Sequence, residues 1–187
     1  MNDDNQQRTI CHPSYIVLNL PSPMAEVIRD LRAKHDVRRA NLPAEITLTG
    51  SSGTGLLELG QDVDMVAADM DRVAKNLQPF TVQFTKIERF PNTDIYFLTL
   101  NDDSIFNQIR LALENTAIRF QPSPYPYTAH CTLKLRSAPT DVELLELLFM
   151  DVPKTPFQLS QMSLYSLPDT ESCDLLHTVE FGKKIKQ

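Results

Sequence analysis

Residues 127–136 read YTAHCTLKLR, and the alternation of side chains in this stretch decides the fold. Side chains on a β-strand point alternately to its two faces. One face would hold only small or apolar side chains, namely Ala129, Cys131, Leu133 and Leu135. The other would hold only polar ones, namely Thr128, His130, Thr132, Lys134 and Arg136. The stretch therefore predicts a strand that packs one face against helices and turns the other to solvent or to a ligand.

A shorter version of this pattern lies nearly half the chain earlier, in residues 45–49, which read EITLT. Here Glu45 and Thr47 would share a polar face, with Ile46 on the opposite face. Both stretches fit the pattern X-x-Thr-Leu, and each is followed by a predicted loop and helix. The repetition predicts a chain built from two similar halves.

The rest of the sequence predicts a mixture of strands and helices. Hydrophobic periodicity, capping residues and prolines predict strands at 14–20, 45–49, 80–90, 95–100, 127–136, 157–167 and 175–181, with helices opening at Pro23, Asp62 and Thr140 and a further one over Ile105 to Leu113. The strands at 80–90 and 95–100 are expected to form an antiparallel hairpin. An α+β fold is therefore predicted rather than a purely parallel sheet.

Composition narrows the class of protein. A formal charge of −6 disfavours a protein that coats long nucleic acid, which would need many Lys and Arg side chains on phosphates. Three cysteines without a CxxC motif argue against a disulfide framework or a zinc site. The longest apolar runs are too short for a bilayer, and the polar N-terminus is unlike a signal peptide. We expect a cytoplasmic monomer without a membrane partner, with residues 1–9 as a flexible tail and 10–187 as one bilobal domain.

A histidine two residues before a threonine suggests phosphate chemistry. An imidazole can take up or release a proton near neutral pH. A nearby hydroxyl and nearby cations can hold the non-bridging oxygens of a phosphate. Cleavage of a phosphodiester needs a base on the attacking side and an acid on the leaving side. Two such strands facing each other across a cleft would supply both groups.

The two motif strands, the opening strand that ends in Leu20-Pro21 and the segment 41–48 together resemble the two-histidine phosphoesterases. This family includes RNA 2′,3′-cyclic phosphodiesterases and bacterial 2′-5′ RNA ligase-like proteins. The resemblance extends from about Tyr15 to Phe181. It implies two pseudo-symmetric halves, each with an antiparallel or mixed sheet and outer helices, around a central cleft. It also implies a small nucleotide or RNA end as substrate and no metal or nucleotide cofactor.

Carried over residue by residue, the resemblance assigns the site as follows. His130 would donate or accept a proton, and Thr132 and Thr47 would bind phosphate. Glu45 stands where the first motif has its histidine. Strand alternation adds Lys134, Arg136 and Tyr165 as further candidate substrate contacts, with a partly exposed strand tyrosine as the alternative for Tyr165.

The carboxylate at position 45 makes the activity an open question. At about 5 Å from a phosphodiester and an effective dielectric near 20, its charge would cost roughly 3 kcal/mol, unless Lys134 or Arg136 offsets it. Three outcomes are open: a working Glu/His pair, a weakened enzyme, or a non-catalytic module that binds a nucleotide or an RNA end. Arg38 and Arg39 are expected in a solvated loop, with a role in guiding an RNA end as the alternative. His12, His35 and His177 are expected to be surface or structural residues.

Overall fold

The computed structural model describes residues 8–50, 52–135 and 137–183. Most of the predicted N-terminal tail and the candidate residue Arg136 lie outside these residues. The elements, in chain order, are β1 (Ser14–Asn19), α1 (Met24–His35), α2 (Val37–Ala40), β2 (Glu45–Thr47), α3 (Val63–Lys75), β3 (Phe80–Val82), β4 (Phe84–Arg89), β5 (Tyr96–Leu100), α4 (Ser104–Glu114), β6 (His130–Lys134), α5 (Asp141–Phe149), β7 (Phe157–Leu159), β8 (Gln161–Ser166) and β9 (Asp174–Glu180).

The strands form three antiparallel sheets. One sheet has the order β2-β1-β8-β9, the second β4-β5-β6, and the third pairs β3 with β7. Helix α3 packs against β8 and β9, while α1 packs against β6. The predicted α+β class with antiparallel sheets and helices is therefore confirmed. The first sheet takes two of its strands from each end of the chain, so the sheets do not follow the sequence halves.

The core follows the alternation read from the sequence. Ile16 and Leu18 on β1 and Ile46 on β2 are fully buried, and so are Cys131 and Leu133 on β6. These side chains belong to one continuous hydrophobic cluster. Burying them fixes the register of each motif strand, because a slip of one residue would turn the polar face into the core.

Two of the predicted helix starts are confirmed by their caps. The Asp62 carboxylate accepts hydrogen bonds from the backbone N–H groups of Asp64 and Met65. Thr140 and Glu143 form the predicted capping box at the start of α5. The helix expected after Ser22 begins at Met24 without a side-chain cap. The Ser22 hydroxyl donates instead to the Glu26 carboxylate.

The prediction of one continuous strand over 80–90 was wrong. The chain divides at Gln83 into β3, which pairs with β7, and β4, which pairs with β5. The predicted strand 157–167 divides in the same way, at Ser160. Among the described residues, no helix combines the length and the apolar character needed to cross a membrane.

Candidate active site

The two motif strands meet where β2 lies against β6. Glu45 opens β2 opposite Asn19, and His130 opens β6 opposite Thr99. Arg32 from α1 contacts both strands. Its Nη2 lies 3.7 Å from Glu45 Oε2, and its Nε donates to the carbonyl oxygen of Thr132 at 2.9 Å. The two motifs predicted from the sequence therefore lie next to each other in the fold.

Arg32 links β2 and β6 through hydrogen bonds. Besides Thr132, its guanidinium donates to the carbonyl oxygen of Pro43, just before β2, at 2.8 Å. The residue is fully buried. A buried guanidinium needs a counter-ion or several hydrogen bonds, and Arg32 has both. Its contacts are to backbone carbonyl oxygens, to Glu45 and to the Cys131 sulfur, which fixes its position and assigns it a structural role.

Glu45 is held between two arginines rather than facing open solvent. Its side chain is 4% exposed, and Oε1 accepts a bond from Nη2 of Arg39 at 3.3 Å while Arg32 approaches Oε2. The expectation that Arg39 lies in a solvated loop was wrong, because Arg39 is buried on the short helix α2. Two guanidinium groups facing one carboxylate give the cluster a net positive charge. An anion such as phosphate is therefore not repelled here.

Arg39 is the less satisfied of the two arginines. Within the described part of the chain, its Nε is buried and has no hydrogen-bond partner. Its bond to Glu45 is long for a charge-assisted contact, which is normally about 2.7–2.9 Å. Buried donors without partners are uncommon in folded proteins and indicate a place where a ligand or water binds. Arg39 is therefore the cation of the cluster with capacity for an anionic ligand.

His130 is oriented to present one ring nitrogen. Nδ1 donates to the carbonyl oxygen of Thr128 at 2.7 Å. Phe90 and Phe97 pack edge-on against the ring, with centroids 5.1 and 5.3 Å away. Within residues 8–50, 52–135 and 137–183, Nε2 makes no hydrogen bond. The fixed tautomer leaves Nε2 with a lone pair that can accept a proton.

Burial lowers the pKa of His130 below its usual 6.5. The hydrogen bond to Thr128 and the Glu45 carboxylate oppose this shift, and the Arg39 guanidinium adds to it. Glu45 and Arg39 thus act on His130 electrostatically, although no direct bond joins them. At neutral pH the imidazole is uncharged, which is the form that a general base requires.

The two motif hydroxyls lie on backbone that is itself fixed. The carbonyl oxygen of Thr132 accepts from Arg32, and that of Thr47 accepts from the Tyr127 hydroxyl at 2.9 Å. For neither threonine does the described structure show a hydrogen bond made by the side-chain hydroxyl. Both hydroxyls are therefore available to a ligand.

Tyr165 lies on the same sheet as Glu45 but is engaged by neighbours. Its hydroxyl accepts from Nδ2 of Asn19 at 3.0 Å, and its ring packs against Tyr15 with centroids 6.2 Å apart. Burial raises the pKa of Tyr165, so the hydroxyl keeps its own proton for donation. Asn19 pairs with Glu45 across the sheet, which connects the tyrosines to the motif.

Lys134 faces away from the motif residues. Its ammonium donates to the carbonyl oxygen of His35 at 2.6 Å, to Ser137 Oγ at 3.0 Å and to Glu143 Oε1 at 2.9 Å. An ammonium has three donors, and all three are used. The residue is 2% exposed. The structure therefore gives Lys134 the role of tying β6 to the end of α1 and to α5. Arg32 and Arg39, not Lys134, offset the charge of Glu45.

We expect Lys134→Met to lower the free energy of unfolding by about 1.5–3 kcal/mol, because Glu143 and the His35 carbonyl lose a charged donor. Urea denaturation monitored by circular dichroism measures this change. Lys154→Met, at an exposed position, is the matched control and should have little effect. Equal midpoints for the two variants would contradict the structural role of Lys134.

Arg32 is a site residue that the sequence analysis missed, and Arg39 was expected in a solvated loop rather than beside Glu45. A buried carboxylate needs a cation as its partner. Glu45, on the polar face of the predicted strand 45–49, therefore indicates that an arginine or lysine close to it in the chain contacts it. Arg39 precedes Glu45 on the short α2, and Arg32 lies one helix earlier. Among the described residues, no group of three or more His, Cys, Asp or Glu side chains is placed to hold a metal ion.

The comparisons with known proteins identify the family to which this fold belongs. The model of the 2′-5′ RNA ligase superfamily matches residues 20–171, so the chain belongs to this family. E. coli LigT complexed with NADP+ superposes with a TM-score of 0.66 at 16% identity, covering 94% of this chain and 100% of that chain. TT0787 of Thermus thermophilus gives 0.63 at 15% identity, covering 92% and 100%. Among curated protein sequences, nothing matches. At these identities the structural likeness shows the fold.

Proposed function

We propose that this chain binds phosphate esters of nucleotides or RNA ends and opens 2′,3′-cyclic phosphodiesters with His130 as its single proton-transfer residue. The observation that carries the proposal is the state of His130: anchored at Nδ1, uncharged at neutral pH and unengaged at Nε2 within the described structure. Structures of LigT complexed with 3′-AMP and with ATP support a ligand of nucleotide type. We place the activity in a cytoplasmic monomer with residues 10–187 as one domain.

The proposed step uses His130 as the base and Arg39, Thr47 and Thr132 as phosphate ligands. His130 Nε2 takes a proton from a water molecule, whose oxygen attacks the phosphorus. The bond from phosphorus to one ribose oxygen breaks, that oxygen takes a proton from solvent on the side opposite the attacking water, and the imidazolium releases its proton to solvent. Arg39 and the hydroxyls of Thr47 and Thr132 hold the non-bridging oxygens. The reaction consumes one water, gives a phosphomonoester and needs neither metal nor nucleotide cofactor.

Glu45 takes no part in proton transfer in this proposal. Its carboxylate is ion-paired with two arginines: Arg39 donates to Oε1, and Arg32 lies 3.7 Å from Oε2 without donating to it. We therefore assign Glu45 to position Arg39 and to set the charge of the site. The same ion pairs favour a second candidate function, in which the groove binds a nucleotide or an RNA end without turnover.

Turnover and binding distinguish these functions. The purified full chain is incubated with adenosine 2′,3′-cyclic phosphate in excess EDTA, and products are separated by chromatography. Binding of 3′-AMP is measured by calorimetry. Ring opening in EDTA supports the enzyme. Binding without ring opening supports the binding module. If the protein shows no turnover and no binding, both functions are rejected.

We expect Arg39→Gln to weaken 3′-AMP binding by roughly 10–100-fold, since a charge-assisted hydrogen bond to phosphate contributes about 1.5–3 kcal/mol. Arg38→Gln is the control on the same helix. Arg38 is exposed and pairs with Glu171, so its loss should leave the affinity nearly unchanged. Equal affinities for the two variants would remove Arg39 from the proposed site.

A further inference from the structure

Helix α5 turns its apolar side outward. Val142, Leu145, Leu148 and Phe149 are between 45% and 82% exposed, whereas Leu147 on the opposite side is fully buried. At 3.6 residues per turn, the four exposed side chains lie on one side of the helix. We call this set the α5 face. A surface helix normally has the reverse arrangement, with its polar side to solvent.

The clustering of these side chains distinguishes the α5 face from ordinary surface residues. Single exposed apolar residues are common, and Leu59 and Leu111 are examples on other segments. Four large ones on a nine-residue helix form a contiguous patch, and such patches mark interaction sites. The α5 face does not include Glu45, Arg39 or His130 and is independent of the proposed function.

The charges around the α5 face are acidic. Asp141 and Glu146 on the helix and Asp151 just beyond it are all exposed. The last turn of α5 has no basic side chain, so the negative end of the helix dipole is not compensated within the helix. Two cations pair with α5 among the described residues. Lys34 pairs with Glu146 at 3.0 Å, but this pair is exposed and contributes little, and Lys134 is buried beneath the helix, where it pairs with Glu143. A complementary surface would be apolar at its centre and basic at its edge.

We propose that the α5 face docks a basic amphipathic helix of another protein, with an apolar stripe flanked by Lys or Arg. Such a helix would lay its stripe on Leu145 and Phe149 and place its cations beside the acidic edge. A second copy of this chain is the poorer occupant. It would bring the same acidic edge against itself, in a chain of formal charge −6.

The test uses the full chain and a fluorescein-labelled synthetic amphipathic helix of leucine and lysine as the probe. Fluorescence anisotropy gives its affinity. Two control peptides keep the composition with a scrambled order, or keep the stripe with glutamate in place of lysine. Both should bind at least roughly tenfold more weakly than the probe. The double variant Leu145→Gln, Phe149→Gln should lose affinity by a similar factor, and Leu111→Gln, an exposed leucine on α4, should not.

Several results would overturn the proposal. Equal binding of the probe and the scrambled peptide would show attraction by net charge alone. Equal binding of the glutamate peptide would remove the charge argument. An unchanged affinity in the double variant would place the contact elsewhere. A dimer in sedimentation velocity that the double variant abolishes would identify a second copy as the occupant.

Discussion

Glu45→Ala is expected to lower the free energy of unfolding by about 3–5 kcal/mol, because it leaves two buried guanidinium groups without their carboxylate. Arg32 keeps its bonds to backbone carbonyl oxygens, so the loss falls mainly on Arg39, whose Nε already has no partner in the described structure. Urea denaturation at neutral pH measures the change. The midpoint should move to lower urea with the slope unchanged.

Glu146→Ala is the matched control for this prediction. Glu146 is also an ion-paired glutamate, but it and its partner Lys34 are exposed. Exposed pairs contribute about 1 kcal/mol or less. If Glu45→Ala destabilised the protein no more than Glu146→Ala, the cluster would not be an energetically important part of the fold. Glu45→Gln, which keeps the shape and removes the charge, should give an intermediate loss.

His130→Ala should reduce the opening of adenosine 2′,3′-cyclic phosphate by about 10²–10⁴-fold, the usual contribution of a positioned general base. His130→Asn should be as inactive while retaining a donor for the Thr128 carbonyl oxygen, which separates loss of chemistry from loss of folding. His12→Ala, at an exposed histidine, is the control and should be fully active. Equal rates for His130→Ala and the parent protein would reject His130 as the catalytic group.

The pH dependence of the reaction rate is a further test of the role of His130. Burial lowers the pKa of His130 from 6.5, so the imidazole stays uncharged at pH values where a free histidine would begin to take up a proton. The rate of a base-catalysed reaction should therefore be constant above about pH 6.5 and fall at lower pH, through the lowered pKa. A rate that increases as the pH falls below about 6.5 would instead assign His130 as the acid.

The parts of the fold that could be predicted are those fixed by local sequence. Alternation along one strand is enough to put Cys131 and Leu133 in the core, and a cap depends on residues only two or three positions apart, as at Asp62. The pairing of β1 with β8 could not be predicted, because it joins segments from opposite ends of the chain. Strand patterns identify strands but not their distant partners.

The same limit explains the cations of the site. A strand pattern shows that Lys134 and Thr132 alternate with apolar residues, but not that an acceptor on α5 lies within reach of the ammonium. Arg39 has no periodic neighbour that would mark it as buried, since α2 is a helix of four residues. Its role follows only from the position of Glu45 across the fold.

The arginine pair around Glu45 also constrains which substitutions this chain can accept in succession. A change of Glu45 to histidine alone would set an imidazole beside two guanidinium groups that had lost their counter-ion, and neighbouring cations disfavour the charged form of a histidine. Substitutions within one contact network are not additive. Glu45→His is therefore expected to destabilise the protein more when Arg39 is present than in an Arg39→Gln background, which urea denaturation of the two variants would measure.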